Sequence, residues 1–187
     1  ETLAGTRVRT NLDDLASSIS VVTKKFLRDT ASFGNQELLN YTPNTEVSGI
    51  GGNFSGFAGQ KSFNESQKLI NPGNNNRVRG LDAADNTRDL FLTDIPWDSF
   101  NVGRVDIQRG PNSILFGVGS PAGIINASIN DATFKRAYRF ENVIDEYGSL
   151  RDSLDLNQVL LKGTLAIRLG YLDDRKKFQQ KQAYNDQ

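Results

Sequence analysis

The stretch from Val105 to Asn126, V-D-I-Q-R-G-P-N-S-I-L-F-G-V-G-S-P-A-G-I-I-N, constrains the fold more than any other part of this 187-residue chain. A short alternating strand carrying Val105 and Ile107 ends in Arg109-Gly110-Pro111. A Ser-Ile-Leu-Phe segment follows, and three glycines and a proline then fall between Gly117 and Gly123. Glycine at that density means tightly turned backbone, because only glycine enters the left-handed region without steric penalty.

Length allows one ordinary domain and a little more. The 22 basic and 22 acidic residues cancel, so no single-sign field argues for nucleic acid or an anionic membrane surface. Cysteine and histidine are both absent. Disulfides, thiolate chemistry, histidine metal sites and Ser-His or Cys-His catalytic pairs are thereby excluded, and an enzyme, a resident metal and a cofactor are not expected. Methionine is absent too, and Glu1-Thr2-Leu3-Ala4-Gly5 has neither a basic nor an apolar leader region, which gives the expectation of an incomplete translation product. No apolar run approaches the roughly 20 residues of a spanning helix, whereas barrel strands need only about 9 to 11 alternating residues.

Residues 6–48 read as a small α/β unit: a β-branched strand over Ser18–Thr23, then short helical pieces over Lys24–Asp29 and Asn35–Tyr41, stopped by Pro43. From Val47 to Asn76 the composition turns to Gly, Asn, Ser, Phe and Gln without a period. Either a surface spacer or a ligand-facing loop satisfies that composition. Strand-like runs follow over Asp89–Thr93 and Val102–Gln108. Beyond Asn126 the pattern becomes period two: Leu165, Ile167, Leu169 and Tyr171 share one face of Thr164–Tyr171, and Leu154 and Leu156 alternate with Ser153, Asp155 and Asn157. Arg136–Asp145 is a weaker first member. With turns at Tyr147-Gly148-Ser149 and Lys162-Gly163, three antiparallel strands result.

Several motifs, in order, resemble the plug domain of TonB-dependent outer-membrane receptors. Ser18-Ile19-Ser20-Val21-Val22-Thr23, Gln36-Glu37-Leu38-Leu39 and Tyr41-Thr42-Pro43 are similar to its opening, and Arg77-Val78-Arg79-Gly80 to its R-x-R-G strand. Leu92-Thr93-Asp94-Ile95-Pro96 resembles its D-G-x-P turn, with Ile95 in place of glycine. Asn101 to Pro111 resembles its N-V-E-R-V-E-V-x-R-G-P strand, with Gly103 in place of glutamate. Gly117 to Asn126 is similar to the link from plug to barrel. The resemblance implies an α+β plug, a small mixed sheet with short helices, over residues 1–130. Residues 131–187 would then begin an outer-membrane β-barrel of about 22 strands.

By the same resemblance the chain is an outer-membrane active transporter of a Gram-negative cell and not an enzyme. Its partners would be the inner-membrane TonB–ExbB–ExbD complex, a ferric siderophore or a glycan, and outer-membrane lipid, without nucleic acid. The TonB box would precede Glu1. Arg79 and Arg109 would lock the plug to glutamates of the barrel wall through their planar guanidinium forks. The alternative for each is a solvated charge at a strand end. Outward loops at Val47–Asn76, Leu81–Asn86 and Pro96–Phe100 would meet the ligand. Phe54, Phe57, Trp97 and Phe100 would offer apolar surface there, and Asn53, Gln60, Asp85 and Asn86 hydrogen bonds. For Trp97 the alternative is core packing.

Other patterns carry no chemistry. The glycines at 117, 119 and 123 are spaced wrongly for a dinucleotide fingerprint, and no Lys-Ser or Lys-Thr follows for a phosphate loop. Asp13-Asp14 and Asp173-Asp174 are adjacent carboxylates and read as solvated turns rather than acid/base couples. A soluble β-rich carbohydrate-binding or adhesion module remains the alternative of another class. In it the Leu165–Tyr171 face would pack against a second sheet instead of facing lipid.

Overall fold

The computed structural model describes residues 11–14, 17–47, 52–53, 76–111, 119–179 and 184–186. They form two compact units, residues 1–129 and 130–187.

The first unit is built on a five-stranded sheet. Strand β1 (Ser18–Thr23) leads into helix α1 (Lys24–Asp29), and α2 (Asn35–Leu39) follows. Thr23 ends the strand and starts the helix at once, its Oγ1 accepting the Phe26 N–H at 3.3 Å. Glu37 reaches back to the Gly34 N–H at 3.0 Å to close the start of α2. Strands β2 (Thr45–Val47) and β3 (Asn76–Val78) pair as a separate antiparallel ribbon. Strands β4 (Asp85–Arg88), β5 (Phe91–Leu92), β6 (Val102–Arg109) and β7 (Gly123–Ile129) complete the main sheet, in the order β1-β6-β7-β4-β5.

Strand alternation decides where the core lies. Val22 pairs with Val105, Ile107 with Ile125, and Val105 with Ala127, which puts these apolar residues on one face with Leu27, Leu38, Leu39 and Trp97 in a single buried cluster. The opposite face carries Asp106, Gln108, Asn126 and Thr87, each at most 3% exposed. Polar groups at that depth need partners, and Asn126 meets the need of two others: its Oδ1 accepts Thr87 Oγ1 at 2.9 Å and Leu90 N–H at 2.8 Å.

The second unit is an antiparallel sheet of β8 (Ala137–Ile144), β9 (Leu150–Leu161), β10 (Leu165–Lys177) and β11 (Tyr184–Asp186), in the order β11-β10-β9-β8. Register aligns Tyr138 with Leu156 and Leu169, and Phe140 with Leu154 and Tyr171. These rows make one apolar face, where Tyr138, Phe140, Leu169 and Tyr171 are each 60–67% exposed. The other face is polar. Arg168 forks onto Asp155, and Arg151 bonds Asp174 at 2.7 Å. Strands β9 and β10, at 12 and 13 residues, exceed the length a tilted strand needs to cross a bilayer. No second sheet covers the Leu165–Tyr171 face among the described residues, which counts against the sandwich alternative.

Four expectations change in detail. Asp85 and Asn86 do not belong to a turn over Leu81–Asn86 but open β4, which runs parallel to β7. The sequence D-N-T-R has no apolar alternation to announce a strand; neighbouring β7 imposes it. The strand expected at Asp89–Thr93 shrinks to Phe91–Leu92 because Asp89 and Leu90 form a left-handed turn, φ 48° and 68°. Gly123 to Asn126 is not a linking segment but part of β7, near the middle of the sheet. Asp173 and Asp174 lie within β10, where Asp174 pairs with Arg151, so they are not a turn. The departures from the plug motifs have simple reasons. Ile95 is not among the positive-φ residues, so glycine is unnecessary there, and Gly103 sits at a register shift in β6.

Candidate functional site

Two places in the first unit combine buried or converging polar groups. The first is the end of β6. Arg109 is 5% exposed and shares its face of the strand with Ile107, so its guanidinium is carried into the interior. Nε donates to the Pro43 carbonyl at 3.1 Å and Nη1 to Ser20 Oγ at 2.8 Å. Nη2 is buried with no acceptor among the described residues. Burial, and the Arg79 charge nearby, lower the Arg109 pKa from its ordinary value, although an arginine stays charged at any physiological pH. Arg79 itself is exposed, in left-handed backbone at φ 56° that the Asn44 carbonyl holds by accepting its N–H at 2.8 Å. A Cβ on Gly110 would meet Arg79 Nη1 at an ordinary contact distance of 3.5 Å, so it is the φ of +104°, and not lack of space, that favours glycine in this R-G pair. Two cations, one with a buried donor that has no acceptor among the described residues, give this place a positive potential.

The second place is a cleft of about 580 Å³ between the start of β4 and β5, lined by Asp82, Ala83, Ala84, Asp85, Asn86, Leu92, Thr93, Asp94 and Ser120. Asp85 Oδ2 accepts the Ser120 N–H at 2.8 Å, and Ser120 Oγ donates to the Ala83 carbonyl at 2.5 Å. These bonds tie the glycine-rich approach to β7 onto β4. Asn86 accepts from Asn35 Nδ2 at 2.9 Å, while its own Nδ2 is buried without a partner among the described residues.

Of the residues expected to meet ligand, the cleft brings together Asp85 and Asn86. It adds Asp82, Asp94 and Ser120, which sequence reasoning had not singled out, although Asp94 stands in a motif already noted. Asn53 lies elsewhere: its Oδ1 caps β2 by accepting the Val47 N–H at 2.7 Å. Trp97 is 7% exposed and donates its indole N–H to Asn35 Oδ1 at 2.8 Å, so it is a core side chain and offers no open ring face. Phe100 is half-buried, its carbonyl accepting from Lys24 Nζ at 3.1 Å. Phe54, Phe57 and Gln60 lie outside the described residues. Arg109 is no solvated strand-end charge, whereas Arg79 is exposed. Among the described residues no group of acidic side chains is placed to hold a metal ion.

The first unit is a mixed-sheet globule, and the second is a sheet of long strands with one apolar and one polar face, the pattern of membrane-barrel strands. Residues 11–124 match the TonB-dependent Receptor Plug Domain, and the chain belongs to that family. It is 31% identical over 133 residues to the ferrichrome outer membrane transporter/phage receptor of Escherichia coli K12, a match covering 67% of this chain and 16% of that protein. It is 28% identical over 179 residues, 95% of this chain and 23% of the relative, to the metal-pseudopaline receptor CntO of Pseudomonas aeruginosa. The crystal structure of the ferripyoverdine receptor of the Pseudomonas aeruginosa outer membrane aligns with a TM-score of 0.76 at 19% identity, over 94% of this chain and 22% of that one. That coverage extends past the plug, and β8 to β10 are early barrel strands. The chain thus spans about a sixth to a quarter of the relatives it matches.

Proposed function

We propose that this chain is the plug and opening barrel strands of a TonB-dependent importer in the outer membrane of a Gram-negative cell, with a ferric siderophore as its cargo. The observation that carries the reading is Arg109: its Nη2 is buried beside Arg79 with no acceptor among the described residues. An orphaned guanidinium donor in a plug is satisfied by a carboxylate on the surrounding wall, and such a charge-assisted fork holds the globule while remaining reversible. The polar face of β9 and β10 suits a water-filled lumen, and the Tyr138, Phe140, Leu169 and Tyr171 face suits lipid. Siderophore cargo is favoured over glycan by the names of the relatives, which are ferrichrome, pseudopaline and pyoverdine receptors. In this reading Asp85 and Asn86 contribute to ligand contact from the cleft. The TonB–ExbB–ExbD complex supplies the energy.

The test is uptake by iron-starved cells carrying the full-length receptor, supplied with radio-iron as a panel of ferric siderophores, with and without TonB. TonB-dependent accumulation of one member supports the reading. Accumulation of labelled oligosaccharide in place of iron would move the cargo to glycans, and accumulation of neither would overturn the transporter reading.

A further inference from the structure

Asn157 on β9 is 2% exposed, and its side-chain amide is fully engaged by a segment outside the sheet. Nδ2 donates to the Thr133 carbonyl at 2.7 Å and to the Lys135 carbonyl at 2.6 Å, and Oδ1 accepts the Thr133 N–H at 2.9 Å. Asp155, two residues earlier on the same polar face, is held by Arg168 through Nε at 2.7 Å and Nη2 at 2.5 Å. The remaining Nη1 of Arg168 donates to the Asp131 carbonyl at 2.9 Å. Arg168 stands opposite Asn157 in the β9–β10 register. Three alternate residues of one short segment, Asp131, Thr133 and Lys135, are therefore gripped by two adjacent side chains. The segment lies between Ile129, where β7 ends, and Ala137, where β8 begins.

The β9–β10 ladder is continuous from Ala166 to Arg175, so the sheet does not need these side chains to form. Backbone groups of an irregular segment do need partners, and here they find them on a strand face. We infer that Asn157 and Arg168 form a clasp that fixes residues 131–135 to the polar wall, so that rearrangement of the plug during import stays N-terminal to residue 130. Asn157 and Arg168 are positioning residues in this scheme. The clasp itself is a matter of geometry; its role in import rests on the importer reading above.

The experiment uses the full-length receptor in outer-membrane vesicles, with hydrogen exchange read by mass spectrometry, and vancomycin entry into cells with and without TonB as the probe of plug displacement. In N157A, exchange across residues 130–136 is expected to rise about tenfold, as follows from losing the bond that protects the Thr133 amide. Exchange in β8 to β10 should be unchanged, and vancomycin sensitivity should rise several-fold only where TonB is present. Unchanged exchange at 130–136, or a rise spread over β8 to β10, would overturn the clasp. A local rise with sensitivity unchanged, or raised equally without TonB, would overturn its part in import. If N157A does not assemble, N157Q, whose longer side chain displaces the acceptor from the Thr133 N–H, gives the same readout across residues 130–136. Siderophore uptake that ignores TonB in the unsubstituted receptor would sink the importer reading and leave the exchange result standing.

Discussion

Gly123 packs so closely on Gln108 that a Cβ at position 123 would lie 2.0 Å from the Gln108 carbonyl oxygen, and its φ is +117°. Both the space and the backbone conformation exclude any other residue. Gly123→Ala should therefore destabilise the first unit by on the order of 4 kcal/mol. Urea unfolding of the chain in detergent, followed through Trp97, its one tryptophan, would measure this. A loss below about 1 kcal/mol would contradict the packing.

Asn126 holds the left-handed Asp89-Leu90 turn against β7 through the Leu90 N–H, and its Oδ1 also accepts from Thr87. Asn126→Ala strands both donors, Thr87 Oγ1 in a buried site and the Leu90 N–H in a half-buried one. A cost of about 3 kcal/mol is expected, again by denaturant titration, with the larger increase in exchange at residues 87–90.

Arg109→Lys keeps the charge but cannot reach Pro43 and Ser20 together. The substitution should cost about 2 kcal/mol. The full-length receptor should also become more sensitive to protease within the plug, while Arg79→Lys, at an exposed site, should change stability little.

Asp106 is 2% exposed; its Oδ2 accepts from Arg104, and Oδ1 has no hydrogen-bond partner among the described residues. Burial pushes its carboxyl above the usual pKa, against the opposing Arg104 charge. A raised pKa means that the group favours folding below its unfolded value of about 4 and that this contribution is lost as pH rises through the folded value. Asp106→Asn should thus raise the unfolding temperature at pH 7, with the gain shrinking as pH falls towards 3. A gain that does not depend on pH would refute this origin.

Glu46 behaves in the opposite sense. Its bond to Arg77, directly across the β2–β3 ribbon, lowers its pKa. The stabilisation is present above the ordinary carboxylate value and disappears as pH falls through the lowered one. Glu46→Gln should weaken the ribbon at neutral pH and become silent in acid, as read by exchange at residues 76–78. The effect should be modest, because both side chains are partly exposed.

Local chemistry determined much of this protein directly. The β-branched run Ser18–Thr23 became β1, with α1 beginning one residue later as expected, because a strand former followed by a threonine cap states its own structure. The alternation of Leu165, Ile167, Leu169 and Tyr171 became one face of β10, because period two needs no partner to be read. The ordered R-x-R-G and R-G-P motifs mark the plug in the sequence itself.

Tertiary structure alone decided the rest. β4 is polar in sequence and is a strand because β7 lies beside it. Trp97 and Arg109 each had an exposed and a buried reading, and a side chain's burial depends on what packs over it from elsewhere in the chain: Asn35 for Trp97, Pro43 and Ser20 for Arg109. The cleft gathers Asp85 and Ser120, 35 residues apart, and the clasp ties Asn157 to Thr133 across 24. Such pairings carry no periodic signal, since they follow from the path of the backbone in space and not from the order of neighbouring residues.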